Sequence, residues 1–296
     1  MYNGIINVYK EKGFTSHDVV AKLRGILKMK KIGHTGTLDP DAEGVLPICV
    51  GKATKLCEFL LEKSKTYRAV VLLGIVTDTQ DVTGTVLEEH EINVSRDKIV
   101  QVIESFVGGY DQIPPMYSAL KVNGKKLYEY ARQGIEVERK SRFVKLDKID
   151  ILDISDDLMR ITIDVHCSKG TYIRTLCHDI GEKLGCGACM ESLLRTQVEQ
   201  YSLDEALKLS DIEELVQLGK MDNHITKIED ILASYPKVTI KKQAQKLLLN
   251  GNKFDNHSVF PQGIEEDVRV YDVDGTFIAL YTYDKKKKEY KPLKMF

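Results

Sequence analysis

The residues best suited to chemistry lie close together between Gly33 and Gly44, where the sequence reads GHTGTLDPDAEG. They belong to a stretch, residues 33–51, that holds four glycines and two prolines and is too long to be a simple connector. Asp39 stands directly before Pro40, and an acidic residue at such a place commonly forms a turn or caps a helix. Held on a rigid turn, the same carboxylate can act as a nucleophile or as a general base. The residues alone leave both interpretations open.

Two other kinds of site fit this region poorly. A phosphate-binding loop needs four residues between its glycines and a Ser or Thr after its lysine. Here six residues separate Gly44 from the next glycine, and Ala53 follows Lys52. His34 and Asp39 are possible metal ligands, but the sequence offers no HExxH motif or Cys/His cluster to complete the set. The sequence therefore predicts neither a phosphate loop nor a metal site.

Length and composition limit the class of protein. The chain has 296 residues, of which 43% are hydrophobic and 29% are charged, and at about 100–200 residues per domain this suggests two domains. No stretch approaches the roughly 20 apolar residues of a membrane helix. The N-terminus also lacks the basic start and apolar core of an export signal. We therefore expect a cytoplasmic protein with no membrane contact.

The net charge of −1 conceals an uneven distribution along the chain. Residues 1–68 and 120–148 each carry a net charge of +5, and residues 236–296 carry +4. A basic face on a neutral protein can bind phosphates, because local charge rather than total charge decides the contact. Ordinary solvated lysines explain the same pattern equally well.

The elements around these residues must position them. Apolar residues at helical spacing predict a helix over 17–30 capped by Ser16, and the β-rich run from Tyr67 to Ile75 predicts a strand. Helices and strands mix without a regular βαβ alternation, which favours an α+β fold with a largely antiparallel sheet. The other predicted elements are a strand at 82–87, a helix around 99–106, paired strands at 142–153 and 158–167, a helix at 172–184, short helices near 204–218 and 225–232, a helix around 241–250, and strands at 268–273 and 276–283.

Longer segments resemble the TruB family of tRNA pseudouridine synthases. The loop GHTGTLDP, continued by GVLPICVGKATKL, is similar to the catalytic motif of that family. Similar blocks follow the family order: KEKGFTS upstream, then KTYRA, QIPPMYSALKVNG and KGTYIRTL downstream. The resemblance covers roughly residues 4–200. Two supporting positions depart from the family pattern, because Glu11 replaces a proline and Leu194 stands where arginine is usual.

The resemblance implies isomerisation of uridine 55 in the T loop of tRNA. The C–N glycosidic bond breaks, the uracil rotates and a C–C bond forms, without any cofactor. Asp39 is implied as the catalytic aspartate, acting by covalent addition or by removal of a sugar proton, and Arg174 is implied to pair with it. A related synthase acting on another RNA and a non-catalytic tRNA-binding or folding protein remain alternatives.

The same resemblance implies a set of substrate contacts. Tyr67 is expected to stack on the extruded uracil, Tyr172 to line the same pocket and Leu193 to form an apolar wall. His34 is expected to help hold the flipped nucleotide. Taken singly, each tyrosine is more commonly explained by core packing. Leu193 also fits a core position, and His34 fits a hydrogen bond within the loop.

Domain organisation and RNA contacts complete the expectations. We expect a pseudouridine synthase catalytic domain at 1–232, with an RNA-contacting insertion at about 112–142. The tail, 233–296, resembles a small β-rich PUA-type RNA-binding domain by position and size. We expect a monomer that binds the T stem-loop of tRNA and needs no protein partner. The expected phosphate contacts are Lys10, Lys121, Lys125, Lys126 and Arg132.

Overall fold

Strands form most of the framework in the computed structural model, which describes residues 2–296. In chain order they are β1 (Gly4–Lys10), β2 (Ile32–His34), β3 (Glu43–Val50), β4 (Lys65–Leu73), β5 (Ile75–Thr77), β6 (Val86–Glu89), β7 (Tyr110–Gln112), β8 (Lys121–Val122), β9 (Lys125–Lys126), β10 (Arg142–Val144), β11 (Leu146–Ile154), β12 (Arg160–Cys167), β13 (Ala188–Val198), β14 (Tyr201–Ser202), β15 (Lys237–Ile240), β16 (Phe254–Asp255), β17 (Val259–Phe260), β18 (Val268–Tyr271), β19 (Phe277–Asp284) and β20 (Glu289–Met295).

The α-helices are mostly short, and none within residues 2–296 is long and apolar enough to cross a membrane. They are α1 (Ser16–Ile26), α2 (Cys57–Leu61), α3 (Arg96–Glu104), α4 (Leu127–Ala131), α5 (Ile173–Leu184), α6 (Leu209–Gln217), α7 (Ile228–Ile231) and α8 (Gln245–Leu249). Short 3₁₀ helices lie at Gly51–Leu56, Leu203–Glu205, Met221–His224, Lys242–Ala244 and Asn256–Ser258.

An eight-stranded sheet carries the first two thirds of the chain. Its strand order is β1-β3-β13-β4-β12-β11, with β2 added to β3 and β14 to β13. Neighbouring strands are antiparallel except β3 and β13, which are parallel and paired only at Leu194↔Glu43 and Arg195↔Gly44. The predicted α+β fold with a largely antiparallel sheet is confirmed.

Helices cover the sheet with their apolar faces. On one side, α3 and α5 pack on β4, β12 and β13, and α5 contributes Ile173, Leu176 and Ile180 at helical spacing to this core. On β1 and β3, the core is formed with α1 and α6. Because α5 ends at Gly185, whose φ of +78° is the left-handed conformation typical of a helix end, its length is set by the sequence. Ile173, at the start of α5, is buried in this core, so the sheet holds the first turn of the helix in place.

The C-terminal residues form a second sheet with its own core. Its order is β16-β20-β19-β18-β15-β17, mostly antiparallel, so the β-rich C-terminal domain expected from the sequence is confirmed. Leu280 of this sheet and Phe296, which follows β20, pack in one cluster with Ile228 and Leu232 from the preceding segment. The boundary at 232/233 and the PUA assignment remain predictions.

Three local predictions need correction. The N-cap of α1 is Thr15, not Ser16, because Thr15 and Asp18 form a reciprocal capping box. The strand predicted at 82–87 begins only at Val86, since the preceding residues form a hydrogen-bonded turn around Asp81. Residues 33–51, read as a loop, contain most of β2 and all of β3.

Candidate active site

The loop that carries Asp39 connects β2 to β3 and is held by a buried lysine side chain. The Lys10 side chain is fully buried, and its ammonium group donates hydrogen bonds to the carbonyl oxygens of Phe14 (2.6 Å), Pro40 (3.1 Å) and Glu11 (3.2 Å). Burial lowers the pKa of Lys10 to about 8. This placement argues against the direct phosphate contact expected for Lys10, because three backbone acceptors already occupy the ammonium. Lys10 instead holds the turn that presents Asp39.

Asp39 meets Arg174 at the surface of this loop. Arg174 Nε lies 3.1 Å from Asp39 Oδ2, and the side chain of Asp39 is 46% exposed whereas that of Arg174 is 7% exposed. The rest of the guanidinium donates hydrogen bonds to the carbonyl oxygens of Tyr117 (2.9 Å) and Thr79 (3.1 Å). A half-exposed carboxylate is therefore held by an arginine whose own position is fixed from two other segments.

A second carboxylate, Asp81, also contacts Arg174 and was missed by the sequence reasoning. Its Oδ2 lies 3.4 Å from Arg174 Nη1, and its side chain is 14% exposed. Its Oδ1 accepts hydrogen bonds from the Thr79 hydroxyl and the Thr83 backbone, so the turn at residues 78–85 is organised around it. The available signal was the turn-forming composition of DTQDVTGT, which indicates an Asx turn.

These side chains open into a cleft of about 930 Å³. Such a volume is typical of a small-molecule or nucleotide pocket. Aromatic, apolar and charged groups from distant segments line it together. Among the residues predicted from the sequence, those that line it are Asp39, Tyr67, Arg132, Tyr172, Arg174 and Leu193.

Tyr67 and Tyr172 reach the cleft from different elements. Tyr67 lies on β4, packs partly against the main core, and has a raised pKa caused mainly by burial. Tyr172 directly precedes α5, where the Gln112 side chain bonds both its backbone N–H (2.8 Å) and its carbonyl oxygen (3.0 Å). The guanidinium of Arg142 stacks 5.2 Å from the centre of the Tyr172 ring. Both aromatic rings are thus held by the framework.

Comparison with known proteins decides the family. The sequence model described as "TruB family pseudouridylate synthase (N terminal domain)" matches residues 24–173, and that of the "tRNA pseudouridylate synthase B C-terminal domain" matches residues 174–235. The chain belongs to the TruB family of pseudouridylate synthases. It is accordingly an isomerase that forms pseudouridine in RNA.

Whole-chain relatives support the TruB assignment. The tRNA pseudouridine synthase B of Lachnoclostridium phytofermentans is 54% identical over 305 residues, with 99% of both chains covered. That of Staphylococcus aureus (strain MSSA476) is 46% identical, with 100% of both covered. Among solved structures, a chain of a Cbf5-Nop10-Gar1 complex has a TM-score of 0.73 at 28% identity, covering 99% of this chain and 84% of that chain.

His34 of the TruB enzyme lies beside the cleft rather than in its lining. It is on β2, where its Nδ1 is 3.1 Å from the carbonyl oxygen of Gly36 and its ring is 5.2 Å from that of His17. Burial lowers the pKa of His34. Its expected contact with the substrate stays a prediction.

Residues 112–142, which we expect to form an RNA-contacting insertion, contain the hairpin β8–β9 and helix α4. The ring of Tyr128 is flanked by Lys126 Nζ and by the guanidinium of Arg132, each 5.3 Å from its centre. Tyr128 and Arg132 line the cleft, whereas Lys121 and Lys125 lie outside its lining on the exposed hairpin. A cationic surface therefore begins at the cleft and continues along the hairpin.

Proposed function

We propose that this enzyme isomerises uridine 55 in the T loop of tRNA, with Asp39 as the catalytic aspartate. The names of its close relatives, tRNA pseudouridine synthase B, support tRNA as the substrate. The observation that carries the catalytic assignment is the contact of Asp39 with the buried Arg174 inside the cleft.

The chemistry requires a carboxylate at the junction of sugar and base. Asp39 either adds to the sugar or removes a sugar proton, and in both routes it must be oriented and accessible. A charge-assisted contact with a fixed arginine orients a carboxylate, and the half-exposed side chain leaves Asp39 open to the cleft. Neither route needs a cofactor.

The target nucleotide must leave its stack to reach Asp39, which costs a few kcal/mol. Stacking of a base on an aromatic ring contributes about 1–3 kcal/mol. In our proposal Tyr67 supplies that stack, Tyr172 and Leu193 form further walls, and His34 supports the flipped nucleotide from the side. The energy gained is then of the same order as the cost of extrusion.

Contacts outside the cleft would hold the rest of the tRNA arm. The insertion at 112–142, with Lys121, Lys125, Lys126 and Arg132, is suited to phosphates because its hairpin is exposed and basic. The domain from about residue 233, which we assign to the PUA type, would bind RNA beyond the loop. We further propose that the enzyme acts as a monomer in the cytoplasm.

The test is incubation of the purified protein with unmodified tRNA transcript, followed by mapping of pseudouridine at single-nucleotide resolution. We expect modification at position 55 only, and Asp39→Asn should abolish it while tRNA binding and folding persist. Asp41→Asn, an exposed carboxylate two residues away, is the matched control. Near-normal turnover by Asp39→Asn would refute the catalytic assignment, and pseudouridine at another site would replace the proposed target.

A further inference from the structure

A second arginine, Arg195, lies in the lining of the cleft beside Arg174 and Asp39. It is on β13, and its relative exposure is 1%. Its Nε donates a hydrogen bond to the carbonyl oxygen of Val45 at 2.6 Å. Its Nη2, although buried, has no hydrogen-bond partner among residues 2–296. A buried donor without a partner destabilises the folded protein, so its retention needs an explanation.

Two glycines lie next to Arg195. A Cβ atom on Gly44 would lie 2.2 Å from the Arg195 carbonyl oxygen, and φ at Gly44 is +106°, so only glycine suits this position. A Cβ on Gly36 would lie 3.5 Å from Arg195 Nη1. Gly44, on β3, therefore borders the Arg195 backbone, and Gly36, in the loop that carries Asp39, borders its guanidinium.

Arg195 also borders the ring that we propose stacks on the base. Residues 67 and 195 are register partners on β4 and β13, and the guanidinium carbon is 6.0 Å from the centre of the Tyr67 ring. Leu193, two residues earlier on the same strand, is a cleft wall as well. A pyrimidine held between Tyr67 and Leu193 would bring its edge close to Arg195.

The local charge indicates what kind of group Arg195 suits. Lys65, buried beside it, has a pKa lowered to about 8 by burial and then by the Arg195 charge. The Lys65 ammonium is occupied by the carbonyl oxygens of Leu61 (2.9 Å) and Lys63 (2.5 Å), whereas the Arg195 terminus is not fully occupied. An oxygen that gains negative charge would be stabilised here, since fixed charges act strongly in a water-poor site.

We propose that Arg195 is a further catalytic residue, which donates a hydrogen bond to a carbonyl oxygen of the uracil and stabilises the base while it is detached. The inference rests on the proposed function. When the C1′–N1 bond breaks, its electron pair stays with the uracil and spreads over N1, O2 and O4. The electron deficiency left at C1′ is met by Asp39, which either adds to the sugar or removes a sugar proton, and this step is reversed when the C1′–C5 bond forms. The base then returns an electron pair to C1′, C5 loses its proton and N1 gains one. Arg195 keeps its own proton throughout.

The test pairs changes in the protein with changes in the base. Synthetic T-arm stem-loops carry uridine, 2-thiouridine or 4-thiouridine at the target position, because sulfur accepts hydrogen bonds weakly compared with oxygen. Single-turnover rates are measured for wild type, Arg195→Gln and Arg195→Lys. The control is Arg68→Gln, which also removes a guanidinium from this sheet. Arg68 pairs with Asp164, and neither residue lines the cleft.

We expect Arg195→Gln to react at least 100-fold more slowly on the uridine substrate, with its dissociation constant for RNA changed less than threefold. One of the two thio substitutions in the RNA should slow the wild type and Arg68→Gln at least tenfold. It should leave Arg195→Gln almost unaffected, because that variant no longer makes the hydrogen bond that the sulfur weakens. Arg195→Lys should recover part of the rate. Circular dichroism and thermal unfolding establish that the variants fold.

Two results would overturn the inference, and misfolding of a variant could explain neither of them. One is a wild type that converts all three substrates at the same rate. The other is an equal thio effect in the wild type and in a folded Arg195 variant. If the wild type makes no pseudouridine even in the unsubstituted arm, the proposed function itself fails, which separates the two failures.

Discussion

Replacing Asp81 by Asn is the sharpest test of how Arg174 is held. Asparagine is nearly isosteric, and its side-chain oxygen can still accept the hydrogen bonds from Thr79 and Thr83 that organise the turn. The substitution therefore removes the charge opposite Arg174 while keeping the local shape. Arg174 would retain Asp39 and two carbonyl oxygens as partners.

The size of the effect follows from the geometry. A hydrogen bond to a charged group contributes about 1.5–3 kcal/mol. The Arg174–Asp81 distance of 3.4 Å is long for such a bond, so we take about 1.5–2 kcal/mol. If this energy serves to fix Arg174 against Asp39, the rate of the chemical step should fall about 10- to 30-fold.

The assay is the single-turnover rate of pseudouridine formation at saturating enzyme, together with the dissociation constant for tRNA. We expect the rate to fall and the dissociation constant to stay within about threefold. Asp164→Asn is the matched control, because it neutralises a carboxylate that pairs with the exposed Arg68, and such surface pairs contribute little. An Asp81→Asn rate within twofold of wild type would show that Asp81 does not position Arg174.

Three further outcomes can be measured. Tyr67→Phe should keep most activity because the ring remains, whereas Tyr67→Leu should lose about 1–3 kcal/mol of stacking and react about 5- to 150-fold more slowly; equal rates for the two variants would contradict stacking. Burial in the folded protein lowers the pKa of Lys65 to about 8, so above pH 8 the unfolded chain binds more protons than the folded one. The free energy of unfolding should therefore rise with pH, by up to about 1 kcal/mol per pH unit, relative to that of Lys65→Met. Denaturant unfolding at pH 7.5 and 9.5 checks this, and parallel changes in both proteins would refute it. Arg269 donates hydrogen bonds to the carbonyl oxygens of Tyr235, Glu229 and Ala233, so Arg269→Met should speed proteolysis near residues 233–236, and unchanged digestion would show that these bonds do not fasten the C-terminal sheet.

Local sequence patterns predicted those elements whose stabilisation is local. Helix α5 was recovered almost to the residue, because its apolar spacing and terminal Gly185 are both visible in the chain. Strand β3 was hidden, because Gly44 and Pro47 are typical of loops. They are tolerated since Gly44 meets the Arg195 backbone closely and the Pro47 carbonyl oxygen still accepts hydrogen bonds from Thr35.

The candidate site was predicted only where a motif marked it. Asp39, Tyr67, Tyr172 and Leu193 were named from their motifs, and the cleft does bring them together. Asp81 could not be found this way, because its contact with Arg174 spans 93 residues and depends on how the sheet folds. The burial of Lys10 is equally invisible in the sequence, since a lysine next to Glu11 ordinarily indicates a solvated surface.

The two-pair parallel junction between β3 and β13 has a consequence for inactivation. On one side of this seam, β1 and β3 are joined by seven residue pairs, and on the other, β13 and β4 by nine. On heating, β3 and β13 should therefore separate before either half of the sheet unfolds. Asp39 belongs to one half and Tyr67 to the other, so the enzyme would lose its alignment while most of its ellipticity is still intact.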